Sequence, residues 1–443
     1  MNLLRNLYLS NRFYLAFALL VCAMMFSYAM PSLMPIVQTS IVLLGLAVGI
    51  DILMLFSKRV DVEVKRETPP VLSLGDDNLV RLTIHNKAAM SLNVTVIDEL
   101  PEQFQSRNFS ISLDMPAGKV HQETYQLRPL SRGEYHFGRI NLYLATGLGL
   151  VRRRLRKPVN ATVPVYPSII QMKKYELRTF ARTAIEYGVK KVRRIGHSYE
   201  FEHIKQYNRG DDYRSINWKA TGRRAQLMVN VYEDEKSQAV YTIIDKSRIM
   251  HMPFNGLSLF DYAVNASLVI ANIVLGKQDK AGLLTFAEEP KARIRADRGK
   301  HQLKKILEAL YNETEGSVEA NYESMYMSLR DLVNGRALLF LYTNFESTYA
   351  LQRALPQLRK LNDKHLLVVV FFENTEVSAN TSDNVETMED IYRQITAETY
   401  MLTKIQLVQM LRQFGIMSIL TKPENLTVAS INKYLELKSR GMI

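Results

Sequence analysis

Apolar residues along this chain follow three different patterns. Near the N-terminus they run together: the stretch 13–30 carries no formal charge, and 36–56 is broken only by Asp51. Each run approaches the ~20 residues needed to cross a ~30 Å hydrocarbon core. Only Pro31-Ser-Leu-Met-Pro35 separates them, so the pattern predicts a transmembrane helical hairpin. From residue 60 to about 166 the residues alternate in short runs, predicting strands over 78–85, 92–97, 119–127, 135–144 and 162–166. Turn chemistry at Leu74-Gly-Asp-Asp-Asn78, Met115-Pro-Ala-Gly118 and Ser131-Arg-Gly133 separates them. Short strands at this spacing predict a β-sandwich of immunoglobulin-like type.

From residue 239 the pattern changes again. Continuous apolar runs at 239–244, 281–286, 337–342, 365–371 and 417–420 alternate with helical stretches at 257–276, 300–311, 322–333, 348–361 and 390–414. That predicts a mostly parallel sheet covered on both faces, with ligands at the carboxyl ends of its strands. The expected chain is multidomain: a hairpin over 1–59, a β-sandwich over 60–166, a connector over 167–238 and an α/β domain over 239–443. A length of 443 residues suits two or three soluble domains. Cys22 is the only cysteine, which excludes an intrachain disulfide framework and a Cys-rich metal site.

Arg5 and Arg12 precede the first run, Lys58, Arg59, Lys65 and Arg66 follow the second, and the turn between them has no basic residue. The positive-inside rule then places both ends, and the soluble body, in the cytoplasm. A cleaved signal peptide is the competing reading, disfavoured by the second run that follows at once and by the lack of a small-residue cleavage site. Asp51 lies roughly 8 Å from the end of its run at 1.5 Å per residue, so it is expected to reach the cytoplasmic interface.

The connector holds Glu200-Phe-Glu202, Tyr207, Gly210-Asp-Asp212, Arg214 and Asn217-Trp-Lys219, with the chain's only tryptophan. Gly210 followed by two carboxylates reads as a turn into a short helix, with Asp211 as N-cap and Asp212 in the first turn. Arg214 and Lys219 are expected to pair with Glu200, Glu202 or either Asp, locking the segment to the next domain. The paired carboxylates also admit acid–base or metal chemistry, because Glu200 and Glu202 share a strand face at period two. A polymerase-type Gly-Asp-Asp needs a strand–turn–strand hairpin, which the polar residues after Asp212 argue against. No Walker-type loop, HExxH or Gly-x-Ser-x-Gly occurs.

Glu-Phe-x-x-Ile-x-x-Tyr from Glu200 to Tyr207, then Gly-Asp-Asp-x-Arg-x-Ile-Asn-Trp-Lys from Gly210 to Lys219, resembles the signature of the bacterial "domain of unknown function" family 58. Asn432-Lys-Tyr-Leu-Glu-Leu-Lys438 is similar to its C-terminal motif, while Ala145-Thr-Gly-Leu-Gly-Leu150 departs from the family's Asp-Pro-Phe-Gly-Leu. The resemblance implies a membrane hairpin, a small β-domain and a Rossmann-like domain of the von Willebrand factor A type. It also implies a bacterial inner-membrane protein working with a MoxR-type AAA+ ATPase in maturing or assembling membrane or envelope complexes. Von Willebrand A domains often hold Mg²⁺ through Asp-x-Ser-x-Ser, a threonine and a distant aspartate. Here Asp245 and Ser247 match, Ile249 replaces the second serine, the threonine position falls near Asn321, and the distant aspartate position is Asn344. With Lys246 and Arg248 close by, a metal site is not expected, and Asp245 reads instead as a loop cap.

The leading expectation is therefore a non-enzymatic, membrane-tethered adaptor. The alternative is a hydrolase using Glu200, Glu202, Asp211 or Asp212. Nucleic-acid binding is not expected, since no RNA-recognition signature or aromatic platform occurs. The net charge of +13 sharpens the choice of partner. Residues 151–224 hold 19 Lys and Arg against 6 Asp and Glu, and the rest of the chain balances at 38 of each. This basic band is expected to face anionic lipid headgroups or an acidic partner.

Overall fold

The computed structural model describes residues 4–57, 60–106, 109–176, 200–208, 211, 213–233, 237–374 and 388–443. They form two compact units, Met1–Ile169 and Ile170–Ile443.

The first unit opens with a short strand, β1 (Leu7–Leu9), and two helices, α1 (Asn11–Ala29) and α2 (Met34–Leu55). Ser10 caps α1 by accepting from Phe13 N at 3.4 Å, and Pro31 stands in the tight turn that separates the helices. Both helices are long and apolar enough to cross a membrane. Leu19, Met25, Leu43 and Leu53 are exposed along them, as lipid contact requires.

Ten strands follow: β2 (Val62–Glu67), β3 (Leu72–Ser73), β4 (Asn78–Asn86), β5 (Leu92–Asp98), β6 (Ile111–Met115), β7 (Val120–Leu127), β8 (Gly133–Phe137), β9 (Ile140–Ala145), β10 (Val151–Lys157) and β11 (Ala161–Tyr166). They build a five-stranded sheet in the order β1-β10-β9-β5-β6 and two three-stranded sheets, β2-β4-β7 and β3-β11-β8. The predicted strand over 135–144 is two strands in different sheets. The chain turns at Gly138–Arg139, where Gly138 N bonds to Glu99 O at 2.9 Å. Alternation sets the buried face, as with Val80, Leu82 and Ile84 of β4. Buried Arg66 of β2 pairs with Asp98 of β5, which also accepts from Tyr125 of β7 at 2.6 Å, so one polar cluster ties two sheets together.

Asp51 departs from expectation. It is fully buried, because the β9–β10 turn folds over it. Its carboxylate accepts from Leu150 N and Val151 N, both at 2.9 Å, and from the Thr146 hydroxyl. Arg153 Nη1 donates to Leu55 O at 2.7 Å and its guanidinium lies over the Phe56 ring, placing a cation at the C-terminus of α2. On the other side, β1 pairs antiparallel with β10, Leu9 opposite Val151, immediately before α1. Both helices are thus fastened to one strand.

That strand also carries the start of the basic band of residues 151–224. Arg152, Arg153, Arg154, Arg156 and Lys157 belong to β10 in the first unit, so the basic excess is not confined to the connector. The connector residues 177–199 lie outside the described residues.

After a helical segment at residues 170–176, the second unit continues with an antiparallel ribbon, β12 (Glu200–Gln206) with β13 (Met228–Glu233), carrying the short helix α3 (Trp218–Arg224) between its strands. The α/β body follows as β14 (Ala239–Asp245), β15 (Pro253–Phe254), β16 (Leu257–Ser258), α4 (Leu259–Gly276), β17 (Lys280–Phe286), β18 (Pro290–Asp297), α5 (Lys300–Asn312), α6 (Tyr322–Leu332), β19 (Leu338–Tyr342), α7 (Thr348–Lys364), β20 (Leu366–Phe372), α8 (Met388–Gln413), β21 (Met417–Thr421) and α9 (Leu426–Ser439). Its six-stranded sheet runs β18-β17-β14-β19-β20-β21. All neighbours are parallel except β18, an antiparallel edge strand that the sequence pattern did not reveal.

Period-two alternation distributes the strands between two cores. Ile244, Phe340, Val368 and Val370 pack with α4, α5 and α9 on one face. Ile243, Leu341, Val369 and Phe371 pack with α6, α7 and α8 on the other. Helix α4 is itself long and apolar enough to cross a membrane, yet it is buried in the first of these cores. Tyr241 crosses directly over Gly282, where any Cβ would come within 2.4 Å of the ring; this position admits no side chain.

Replacing Asp51 by alanine leaves two backbone N–H groups and a hydroxyl without their acceptor, at about 1–3 kcal/mol for each group that stays buried. Amide hydrogen exchange on the full chain in micelles should show Leu150 and Val151 losing protection in Asp51→Ala. Unchanged protection would mean that the clamp is not holding the turn.

Candidate functional site

In a doubly wound sheet the ligand crevice opens where the winding reverses, outside the carboxyl ends of the strands. Here the reversal falls between β14 and β19, the first and fourth strands of the six-stranded sheet in chain order. Asp245 ends β14, and Thr343 follows β19. They meet across the crevice: Thr343 Oγ1 donates to Asp245 Oδ2 at 2.7 Å, and Ser247 N donates to Oδ1 at 2.9 Å. Tyr322, at the start of α6, shares a 2.9 Å hydrogen bond with the Thr343 hydroxyl. Asp245, Ser247 and Thr343 are completely buried. Burial pushes the Asp245 carboxyl up from its ordinary value, against the pull of these donors, and raises the Tyr322 phenol strongly.

A second buried carboxylate stands beside this one. Glu313 accepts from Thr285 Oγ1 at 3.0 Å and pairs with Lys246 at 3.2 Å. Backbone bonds from Arg248 N to Val318 O and from Gly316 N to Lys246 O tie the loops together. Around this built core the rim is exposed at Arg248, Val318 and Glu346.

Lys404 of α8 enters from the other face and was not anticipated. It is fully buried, and its ammonium donates to Asn344 Oδ1 at 2.7 Å and Phe345 O at 2.6 Å. The position had a signal: Ala397, Lys404, Leu407 and Leu411 form the buried, core-facing stripe of α8. Asn321 turns out to be the N-cap of α6, accepting from Glu323 N and Ser324 N at 3.1 Å each.

These residues do not suit a divalent cation. Both Asp245 oxygens already accept from protein donors, Asn344 Oδ1 accepts from an ammonium, and Ile249 offers no oxygen. Mg²⁺ needs several free oxygens in octahedral array. Among the described residues no cluster of three or more His, Cys, Asp or Glu could hold a metal.

The connector motif resolves into turn and cap chemistry. Asp211 accepts from Asn208 N at 2.8 Å and pairs with Lys205 at 2.7 Å, and that lysine holds its carboxyl below the usual range. The N-cap of α3 is Asn217, which accepts from Ala220 N at 2.9 Å and donates to Asn230 at 2.8 Å; Asp211 does not take that role. Tyr207 N bonds to Leu227 O, closing the ribbon. Trp218 is 73% exposed and Arg214 lies over the ring of Tyr213, while Lys219 occupies the first turn of α3. Gly210 and Asp212 lie outside the described residues. Glu200, Phe201 and Glu202 are on β12, whose register shifts between Phe201 and His203, so simple alternation does not run through them. A carboxylate held ionised by Lys205 is poorly suited to act as a general acid.

The C-terminal motif is also structural. Tyr434 and Lys438 of α9 both donate to Asp279, whose other oxygen accepts from Gln238 N at 3.1 Å. This fastens α9 beside the start of β14.

Lys404 yields a pH signature. Burial lowers its ammonium from the ordinary 10.5 to about 8. Above pH 8 and up to 10.5 the unfolded chain therefore holds more protons than the folded one, and this group makes stability rise with pH. Hydrogen exchange in β19 and β20 should slow from pH 8 to 10, after correction for intrinsic exchange, and Lys404→Met should lack that gain. Equal pH dependence in both proteins would contradict the assignment.

Comparison with known proteins places this region in a family. The family model "Protein of unknown function DUF58" matches residues 203–386, from the ribbon past β20. "Uncharacterized protein YeaD" of Bacillus subtilis (strain 168) is 26% identical over 224 residues, covering 49% of this chain and 54% of that protein. The match therefore spans about half of that relative's length. Among solved structures, a CARDB domain from Pyrococcus furiosus aligns with 24% of this chain and 93% of its own, at 15% identity and a TM-score of 0.18. The ASH/PapD-like domain of human CEP192 aligns with 25% of this chain and 90% of its own, at 11% identity and a TM-score of 0.20. Residues 203–386 of this chain therefore match a family of proteins of unknown function, DUF58, and the chain is similar over about half its length to YeaD.

Proposed function

We propose that this protein is a membrane-tethered adaptor of the bacterial inner membrane. Its soluble units face the cytoplasm, and its α/β body is a von Willebrand factor A-like domain that binds a protein partner at the switch-point rim. The observation that carries this reading is the rim itself. Beneath it Asp245, Thr343 and Tyr322 answer one another and the Ser247 N–H in internal bonds, while the buried Ser247 hydroxyl has no hydrogen-bond partner among the described residues. Strand order supports the A-like assignment, with a single antiparallel edge strand at β18. Tyr135 supports an immunoglobulin-like reading of the β-rich unit, since its buried hydroxyl donates back to Ser131 O at 3.0 Å as in a tyrosine corner. Arg5 and Arg12 near one end of the hairpin and Lys58 and Arg59 after the other support the cytoplasmic side. The family resemblance makes the partner a MoxR-type AAA+ ATPase acting in assembly of membrane or envelope complexes. A hydrolase built on Glu200, Glu202, Asp211 or Asp212 is the alternative, and the ion pair of Asp211 with Lys205 weighs against it.

The test is co-purification of the full chain with the MoxR-type ATPase of the same cell, together with the ATPase rate. Arg248→Glu with Val318→Asp changes only exposed rim positions and should lower capture about ten-fold or more, as loss of an interface anchor does. Capture unaffected by the rim variant, or no capture and an unchanged ATPase rate, would refute the reading.

A further inference from the structure

The outward face of the five-stranded sheet carries a cationic pocket unrelated to the α/β rim. Arg154 and Arg156 of β10 stand opposite Tyr143 and Asn141 of β9, and Asn141 stands opposite Ile97 of β5. Together with Arg139 from the β8–β9 turn and Glu99, these residues enclose about 200 Å³. That is below the ~300–1,000 Å³ of pockets that hold drug-sized ligands, and it suits one small charged group.

The charges are unevenly balanced. Among the described residues, none of the three guanidinium groups has a carboxylate within ion-pair distance. Arg154 lies over the Tyr8 ring at 5.2 Å, and its Nε is buried without a hydrogen-bond acceptor among the described residues. A buried, unanswered guanidinium N–H is costly and calls for an acceptor from outside the chain. Glu99 is the one carboxylate at the pocket, and it is engaged: it accepts from Asn141 Nδ2 at 2.7 Å and Arg139 N at 3.0 Å. Guanidinium forks match the geometry of tetrahedral oxyanions.

Position narrows the source. Val151, whose N–H binds Asp51 of α2, precedes Arg154 by three residues and Arg156 by five. At ~3.4 Å per strand residue, the pocket lies within roughly 10–17 Å of the hairpin. We propose that Arg139, Arg154 and Arg156 form a binding site for a phosphate group, carried by a phospholipid headgroup or by a free phosphate ester.

Calorimetric titration of the full chain in neutral phosphatidylcholine nanodiscs with inorganic phosphate tests this directly. Binding should fall about ten-fold or more in Arg154→Gln and in Arg156→Gln, the scale of one charge-assisted hydrogen bond, and tighten in Glu99→Gln. Arg156 is exposed, so its variant keeps the test intact if Arg154→Gln fails to fold, and melting temperatures identify that case. Repeating the titration in phosphatidylglycerol nanodiscs separates the sources. Phosphate binding suppressed by the anionic lipid identifies the headgroup, and undiminished binding identifies a soluble ester. Absence of phosphate binding in neutral nanodiscs, or binding equal in wild type and Arg156→Gln, overturns the proposal. Neither result depends on an ATPase partner, so the adaptor reading stands or falls separately.

Discussion

Within the first unit, everything depends on giving Asp51 somewhere to put its charge. A carboxylate in an apolar helix is expensive in lipid and equally expensive in a dry protein interior unless donors surround it. The β9–β10 turn supplies three, two of them the backbone groups that open β10. The same strand accepts β1 along its other edge just before α1 begins. One satisfied carboxylate therefore decides where the sheet grows from, and makes the hairpin and the β-rich unit a single object rather than a body on a leash.

In the second unit the comparable decision is made at the switch point. Sheets of this order commonly reserve that crevice for a ligand, and the chain retains an aspartate and a hydroxyl there. Yet the groups answer one another: Thr343 and the Ser247 amide take the carboxylate, and Lys404 takes Asn344. A lysine ammonium is a cation that the chain carries with it, and it orders the loop after β19 with no need of an ion from solution. The crevice has become a fixed piece of architecture, with Arg248, Val318 and Glu346 exposed above it.

How much of this was legible beforehand follows from what kind of physics each feature uses. The buried strands of the α/β body and its helices are local signals, continuous apolar runs and 3.6-residue stripes, and they fall within a few residues of expectation. Edge strands are weaker signals. β18 alternates between half-buried and exposed positions, and β10 is so basic that it reads as a charged tail. The split at Gly138 depends on which sheet each half joins, which no local pattern encodes. Asp51 was visible as an anomaly, but its partners lie about a hundred residues away. Beneath the rim, Asp245 and Ser247 were singled out by the resemblance to the von Willebrand A motif. Thr343, Tyr322 and Glu313 join them only through the sheet, and Lys404 was concealed by the assumption that a charged residue on a helix points to water. Asn217 took the cap expected of Asp211 because it stands directly before the helix, whereas Asp211 is held by the ribbon.

Helix α4 carries a consequence for how the chain is made. Its mean hydropathy of 1.6 equals that of α1 and falls below the 2.1 of α2, and it follows both in the order of synthesis. Until β14 and the later strands cover it, lipid and the sheet compete for the same surface, so correct topology is a race as well as an equilibrium. Asp261 and Asn265, buried on this helix in the folded unit, raise the cost of the lipid outcome. The polar residues of α4 thus separate a helix that merely has the length and hydropathy of a membrane span from one that would be cheap to leave in lipid.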